Sequence, residues 1–151
     1  MAWEIYPYTG AGTLKFGMSP EEVVQILGAE RKKEHAPPHG ARYFFRQDQP
    51  IAIFNHNKLL EISFTPDTSD PVLYDQQDLF LEGEQDVLGA LWRKSGQADT
   101  FEIMGFVIFF PLGVALSGYH DNDPSQKAVL CFAEGRWDRF RQRMKCIDFP
   151  A

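Results

Sequence analysis

Apolar positions along this chain recur in two rhythms, and both rhythms occur twice. Between Pro20 and Leu27 the apolar residues Val23, Ile26 and Leu27 stand three and four apart, the spacing that lays a buried stripe along a short helix. The ends of that helix are marked. Ser19 is placed to cap it, Pro20 takes the first helical position, Glu22 completes a capping box, Met18 and Val23 stand where a hydrophobic staple forms, and Gly28 can end the helix in a left-handed conformation. A polar stretch with Pro37, Pro38 and Gly40 then reads as a loop. Strands are predicted over 41–47, 51–55 and 59–65. In the third, Leu60, Ile62 and Phe64 alternate with Glu61 and Ser63, the period of two that buries one face of a sheet. Asn57, between the second and third strands, can supply the positive φ of a tight hairpin.

The same order then returns. At a constant offset of 64, Phe16 falls on Phe80, Glu22 on Asp86, Val23 on Val87, Val24 on Leu88 and Leu27 on Leu91. Tyr43, Phe44 and Phe45 fall on Val107, Ile108 and Phe109, and after a four-residue insertion Ile62, Ser63 and Phe64 fall on Leu130, Cys131 and Phe132. A second helix is predicted from about Glu84 to Lys94, with Val87, Leu88, Leu91 and Trp92 as its apolar face, and strands near 101–110, 114–119 and 127–133. The pattern predicts an α+β fold in a single compact domain, residues 1–151. Two tandem helix-plus-antiparallel-strand units, about 12–65 and 79–135, form a sheet with helices packed on one face. An acidic, proline-containing joint over 66–78 connects them, and 136–147 reads as a C-terminal helix because Trp137, Phe140, Met144 and Ile147 are spaced by three and four.

Composition narrows the class without naming a partner. At 151 residues and 44% hydrophobic the chain is long enough to bury a core. Fifteen basic against twenty-one acidic side chains give a net charge of -6, which disfavours nucleic acid and anionic membrane and favours basic partners. The charge is uneven, since Arg136, Arg139, Arg141, Arg143 and Lys145 cluster near the end. These arginines read as a solvated helix face that offsets nearby acids. No segment approaches the roughly 18 consecutive apolar residues of a membrane span, and no basic-then-apolar leader is visible, so a cytoplasmic protein is expected. Cys131 and Cys146 are too few for a disulfide framework and fit a reducing compartment.

Catalytic signatures are not found in the sequence. The His35-Ala-Pro-Pro-His39 spacing resembles a metal pair, but its prolines remove the helix that would put both histidines on one face. His120-Asp121-Asn122-Asp123 lacks the glycine and late glutamate of a calcium loop, and Gly10-Ala-Gly12 is not followed by a phosphate-binding helix. The expectation is therefore a protein that is no enzyme and carries no cofactor and no metal.

The segment Gly12-Thr-Leu-Lys-Phe-Gly-Met-Ser-Pro-Glu-Glu-Val-Val-Gln-Ile-Leu-Gly28 resembles the opening of the repeats in beta-lactamase-inhibitor-like domains and outer-membrane assembly lipoproteins. The phrase is shared by many bacterial immunity proteins of toxin-mediated competition. The second copy departs from it, with Leu81, Glu82 and Gly83 in place of Gly, Met and Ser. The resemblance implies a tandem scaffold that binds and neutralises a cognate protein toxin, such as a basic nuclease, by stoichiometric blocking of its active site. Candidate contact residues are Tyr43, Glu61, Tyr74, Asp75, Tyr119, Asp121 and Asp123, taken from polar loops and the solvent side of strands. Homo-oligomerisation is left open. Two other readings stand beside this one. One is a secretion chaperone or assembly module that holds an extended segment at a sheet edge, and the other is an enzyme or small-ligand protein with a pocket between the units.

Overall fold

The computed structural model describes residues 2–149. The chain opens with three short strands, β1 (Trp3–Tyr6), β2 (Gly10–Ala11) and β3 (Leu14–Lys15), and then enters α1 (Pro20–Leu27). The helix starts as its sequence dictates. Ser19 Oγ accepts from the Glu22 amide at 3.2 Å while the Ser19 amide donates to Glu22 Oε1 at 3.1 Å, and Gly28 closes the helix at φ 96°. A four-strand meander follows: β4 (Lys32–Ala36), β5 (Gly40–Phe44), β6 (Ile51–Asn55) and β7 (Lys58–Phe64). The β6–β7 turn is the two-residue kind with both residues at positive φ, His56 at 52° and Asn57 at 61°.

The joint is not a bare linker. It contains the hairpin β8 (Val72–Tyr74) and β9 (Gln77–Asp78), and β8 lies parallel to β1, with Trp3 opposite Val72. Then α2 (Glu84–Lys94) leads into a second meander, β10 (Thr100–Ile103), β11 (Phe106–Phe109), β12 (Val114–Ser117) and β13 (Ala128–Phe132), and β14 (Lys145–Cys146) returns to pair with β10.

These strands build two sheets. One has five strands in the order β3-β2-β1-β8-β9, and the other has nine in the order β14-β10-β11-β12-β13-β7-β6-β5-β4. The two meanders meet at the centre of the large sheet through the antiparallel β7–β13 pair, with Ile62 opposite Cys131. On one face of that sheet Val23, Val87, Leu88, Leu91 and Trp92 of the helices join Ile5, Ala11, Leu14 and Val72 of the small sheet over Phe54, Ile62, Phe64, Val107, Phe109, Leu116 and Cys131. On the other face a smaller core holds Ile103, Ile108, Phe110, Ala115, Leu130 and Phe132 under Trp137.

The fold class expected from sequence is corrected. The chain is mostly sheet, 36% strand against 19% helical, and two sheets replace the one expected. The C-terminal α-helix over 136–147 is absent: Asp138–Arg143 forms 3-10 turns, and β14 follows. Spacings of three serve a 3-10 segment as well as an α-helix, so Trp137 and Phe140 still face one core. The β10 edge then captures the chain, Ile147 N donating to Thr100 O at 3.1 Å, and Ile147 crosses to the helix side.

Two other strand readings change. β4 was expected as loop, and the span 101–110 is a hairpin turned at Met104 (φ 50°) and Gly105 (φ 85°). The register of the last strands also shifts by one. Ile62 and Phe64 face the helices, whereas Leu130 and Phe132 face away. The β7–β13 register sets this, with Cys131 rather than Leu130 opposite Ile62; β7 also carries a bulge towards β6, where Ile53 opposes Glu61 but Phe54 opposes Leu59, which leaves Leu60 as the extra residue.

Candidate functional site

The face of the nine-stranded sheet turned away from the helices is covered over only half its width. Over β10–β13 the segment from Arg136 to Met144 lies on the sheet, and the ring of Trp137 meets Phe106 at 5.6 Å, Phe132 at 6.4 Å and Phe140 at 5.7 Å between centroids. Over β4 and β5 no other segment of the described chain packs on this face, and at Ile53 of β6 and Glu61 of β7 the cover is the edge of the Arg136 segment. Alternation therefore leaves Arg42 and Phe44 of β5, Ile51 of β6 and Ser63 of β7 partly or fully open to solvent.

Where covered and bare halves meet, one row of residues crosses five strands in register: Glu34, Arg42, Ile53, Glu61 and Phe132. Glu61 is only 4% exposed. Arg136 reaches back over the sheet, and its Nε donates to Glu61 Oε1 at 3.2 Å. Burial pushes the Glu61 carboxyl above its ordinary range, while the positive charges of Arg136 and, more weakly, Arg42 pull it back. The indole Nε1 of Trp137 is near enough to favour the carboxylate, yet it has no partner at hydrogen-bonding geometry.

Around this pair the surface is hollowed into a groove of about 460 Å³, within the range of ligand pockets. Phe44, Ile51 and Ile53 line its bare side, Phe106, Leu130 and Trp137 its covered side, and Ser63 and Ser117 its floor. A second hollow of about 500 Å³ adjoins it across Arg136 and Ile53, bordered by His39, His56 and Arg139. The groove lining includes three cations, Arg42, Lys127 and Arg136, and one acid, Glu61. Lys127 is held by Glu84 at 2.9 Å, whereas Arg42 has only a loose partner, Glu34 at 3.9 Å.

The seven residues chosen from sequence do not form one surface. Glu61 was taken as solvent-facing and is instead the buried centre of the site, because Arg136 and Trp137 cover its strand position. Tyr43 lies on the opposite face of the sheet, 5.0 Å from the Phe54 ring, with Lys33 Nζ 5.5 Å from its centroid. Tyr74 is buried in β8, and Asp75 is at the exposed tip of its hairpin, bonded to Lys94 Nζ at 2.6 Å. Tyr119 is fully buried, its hydroxyl donating to Leu79 O at 2.6 Å with burial raising its pKa. Asp121 is exposed in the following turn, and Asp123 caps a 3-10 turn, its Oδ1 accepting from the Ser125 amide at 3.2 Å and from the Ser125 hydroxyl at 2.6 Å. Of the seven, Tyr119 and Asp123 are brought into one neighbourhood around Gly118 and Lys127, at the margin of the groove.

Sequence reasoning missed Arg42, Phe44, Ile53, Arg136 and Trp137. The arginine cluster was visible, but its members do more than face water: Arg136 neutralises Glu61, and Arg141 lies 3.8 Å over the Phe110 ring. Among the described residues no three His, Cys, Asp or Glu side chains converge on a point that could hold a metal ion. Among the described residues no helix is long and apolar enough to cross a membrane. No family model, no curated protein and no solved structure matches the chain.

Proposed function

We propose that this chain is an immunity-type binding protein, which neutralises a protein toxin by stoichiometric contact, and that it docks its partner on the bare half of the nine-stranded sheet. The observation that carries this reading is the half-covered face. The chain supplies Trp137, Phe140 and Met144 to cover one half of a sheet surface and leaves Ile51 and Ser63 on the adjoining half partly open, with Phe44 under only the Lys32 side chain. Apolar side chains open beside a buried ion pair are the arrangement of a protein contact: a desolvated centre with a charged rim.

The charges at that rim change the partner's character. Arg42, Lys127, Arg136 and Arg139 line the two hollows against Glu61 and Glu134, although the chain as a whole is acidic. The attraction at the bare face is therefore for a toxin surface that presents acidic groups, and the acidic loops with Asp75, Asp121 and Asp123 serve solubility and turn formation.

Co-expression with the toxin encoded beside this chain tests the reading. The protein is expected to restore growth and to form a one-to-one complex, and Ser63→Arg is expected to abolish both. Rescue by the Ser63→Arg variant as complete as that by the parent would count against docking on this face.

A further inference from the structure

We infer that the groove between Arg42 and Trp137 receives a partner segment in which a carboxylate stands next to an aromatic side chain. This rests on the docking reading above and adds the chemistry of the anchor. The aromatic half of the inference comes from the covered side of the same sheet. At the offset that relates the two units, Phe44 of β5 corresponds to Ile108 of β11, and both point away from the helices. Ile108 shares its core with Trp137 and Phe140, the Trp137 ring meets Phe106 at 5.6 Å, and Arg141 lies over Phe110. Phe44 and Ile51, half-buried beside the buried Ile53, form the corresponding apolar surface, and they lack a covering ring. A ring laid there repeats a packing that the chain already uses once.

The carboxylate half comes from charge and unmet hydrogen bonding. Three cations against one acid leave the lining positive, and the one acid is already engaged by Arg136. Arg42, 47% exposed along its side chain, keeps a guanidinium with only a 3.9 Å ion pair, so it can turn to an incoming anion without breaking a good bond. Trp137, itself 6% exposed, places its buried N–H beside Glu61 in the same wall without an acceptor at hydrogen-bonding geometry. An aromatic group without an acid would leave the Arg42 guanidinium with only its loose partner. An acid without an aromatic group would leave Phe44 and Ile51 in water.

Two capped dipeptides probe the groove, acetyl-Asp-Phe-amide and acetyl-Asn-Phe-amide, titrated into isotopically labelled protein and followed by NMR. The Asp-Phe peptide is expected to shift the Trp137 indole signal and the Ile51 and Ile53 methyl signals, with an affinity at least about tenfold above that of Asn-Phe. Arg42→Gln is expected to remove that difference, and Phe44→Ala to weaken both peptides alike. Equal binding of the two peptides, shifts that map outside the groove, or no shifts at all would overturn the inference. If that happens while Ser63→Arg still abolishes neutralisation, the docking face stands and only its anchor chemistry falls; if Ser63→Arg neutralises normally, the docking reading itself falls.

Discussion

Replacing Arg136 by methionine is expected to destabilise the protein by about 3 kcal/mol at pH 7, because it leaves the Glu61 carboxylate buried without its counter-charge. Exposure of the Glu61 side chain is 5%, so water cannot substitute for the lost guanidinium. The loss depends on pH in a defined direction. The folded-state pKa of Glu61 already lies above its ordinary value of 4.5, and removing Arg136 raises it further. A carboxyl raised in the folded state holds more protons there than in the unfolded chain, so its contribution to stability is full below 4.5 and falls as pH rises through the folded value. The Arg136→Met penalty should therefore be small near pH 4 and grow towards neutrality. Glu61→Gln should remove this pH dependence, measured as the difference from the parent protein in urea midpoints across the range.

The double variant Glu61→Leu, Arg136→Met separates pairing from burial. Exchanging a buried ion pair for apolar groups of similar size is often neutral or stabilising, whereas removing one partner is not. The double variant is expected to be at least as stable as the parent at pH 7. A double variant as unstable as Arg136→Met alone would mean that Arg136 acts by packing its stem rather than by neutralising Glu61.

Trp137→Ala should cost about 3–5 kcal/mol, the usual range for truncating a large buried aromatic side chain. The ring touches Phe106, Phe132 and Phe140, so its removal opens the centre of the second core and frees the 3-10 segment from the sheet. Trp137→Phe should cost much less, since it keeps an aromatic ring and deletes an N–H that has no partner. Thermal unfolding of both variants measures the contrast. Equal destabilisation by alanine and phenylalanine would show that the indole nitrogen makes an essential bond.

How much of this was legible from sequence follows from the range of each interaction. The α1 start is written in Ser19, Pro20 and Glu22, three neighbours whose contacts are all local, and it folds as read. The His56–Asn57 turn is legible for the same reason. β4 was not, because it is an edge strand whose lysines and glutamate remain exposed or half-exposed on both faces, so the alternation that betrays a strand is missing. The β10–β11 turn was hidden by an apolar run that continues through Met104, which is 67% exposed. The C-terminal segment misled because its spacing fits two kinds of helix, and the choice was made by the β10 edge more than forty residues earlier.

The site was less legible than the fold. Glu61 could be picked out as a polar position in an apolar strand, but its burial depends on Arg136, 75 residues away. Arg42, Ile53 and Glu61 are aligned by cross-strand register, which a bulge at Leu60 resets. A shift of one residue moves a side chain to the opposite face, so the bulge decides which residues reach the groove.

The most direct test of the account is the affinity of the purified protein for its toxin with an added charge on each side of the sheet, Ser63→Arg on the bare face and Gln85→Arg on the exposed side of α2. Docking on the bare half predicts that Ser63→Arg weakens binding by at least about a hundredfold, some 2.7 kcal/mol, and that Gln85→Arg changes it by less than about threefold. The reverse pattern, with binding lost at Gln85 and kept at Ser63, would place the contact on the helix side and contradict the account.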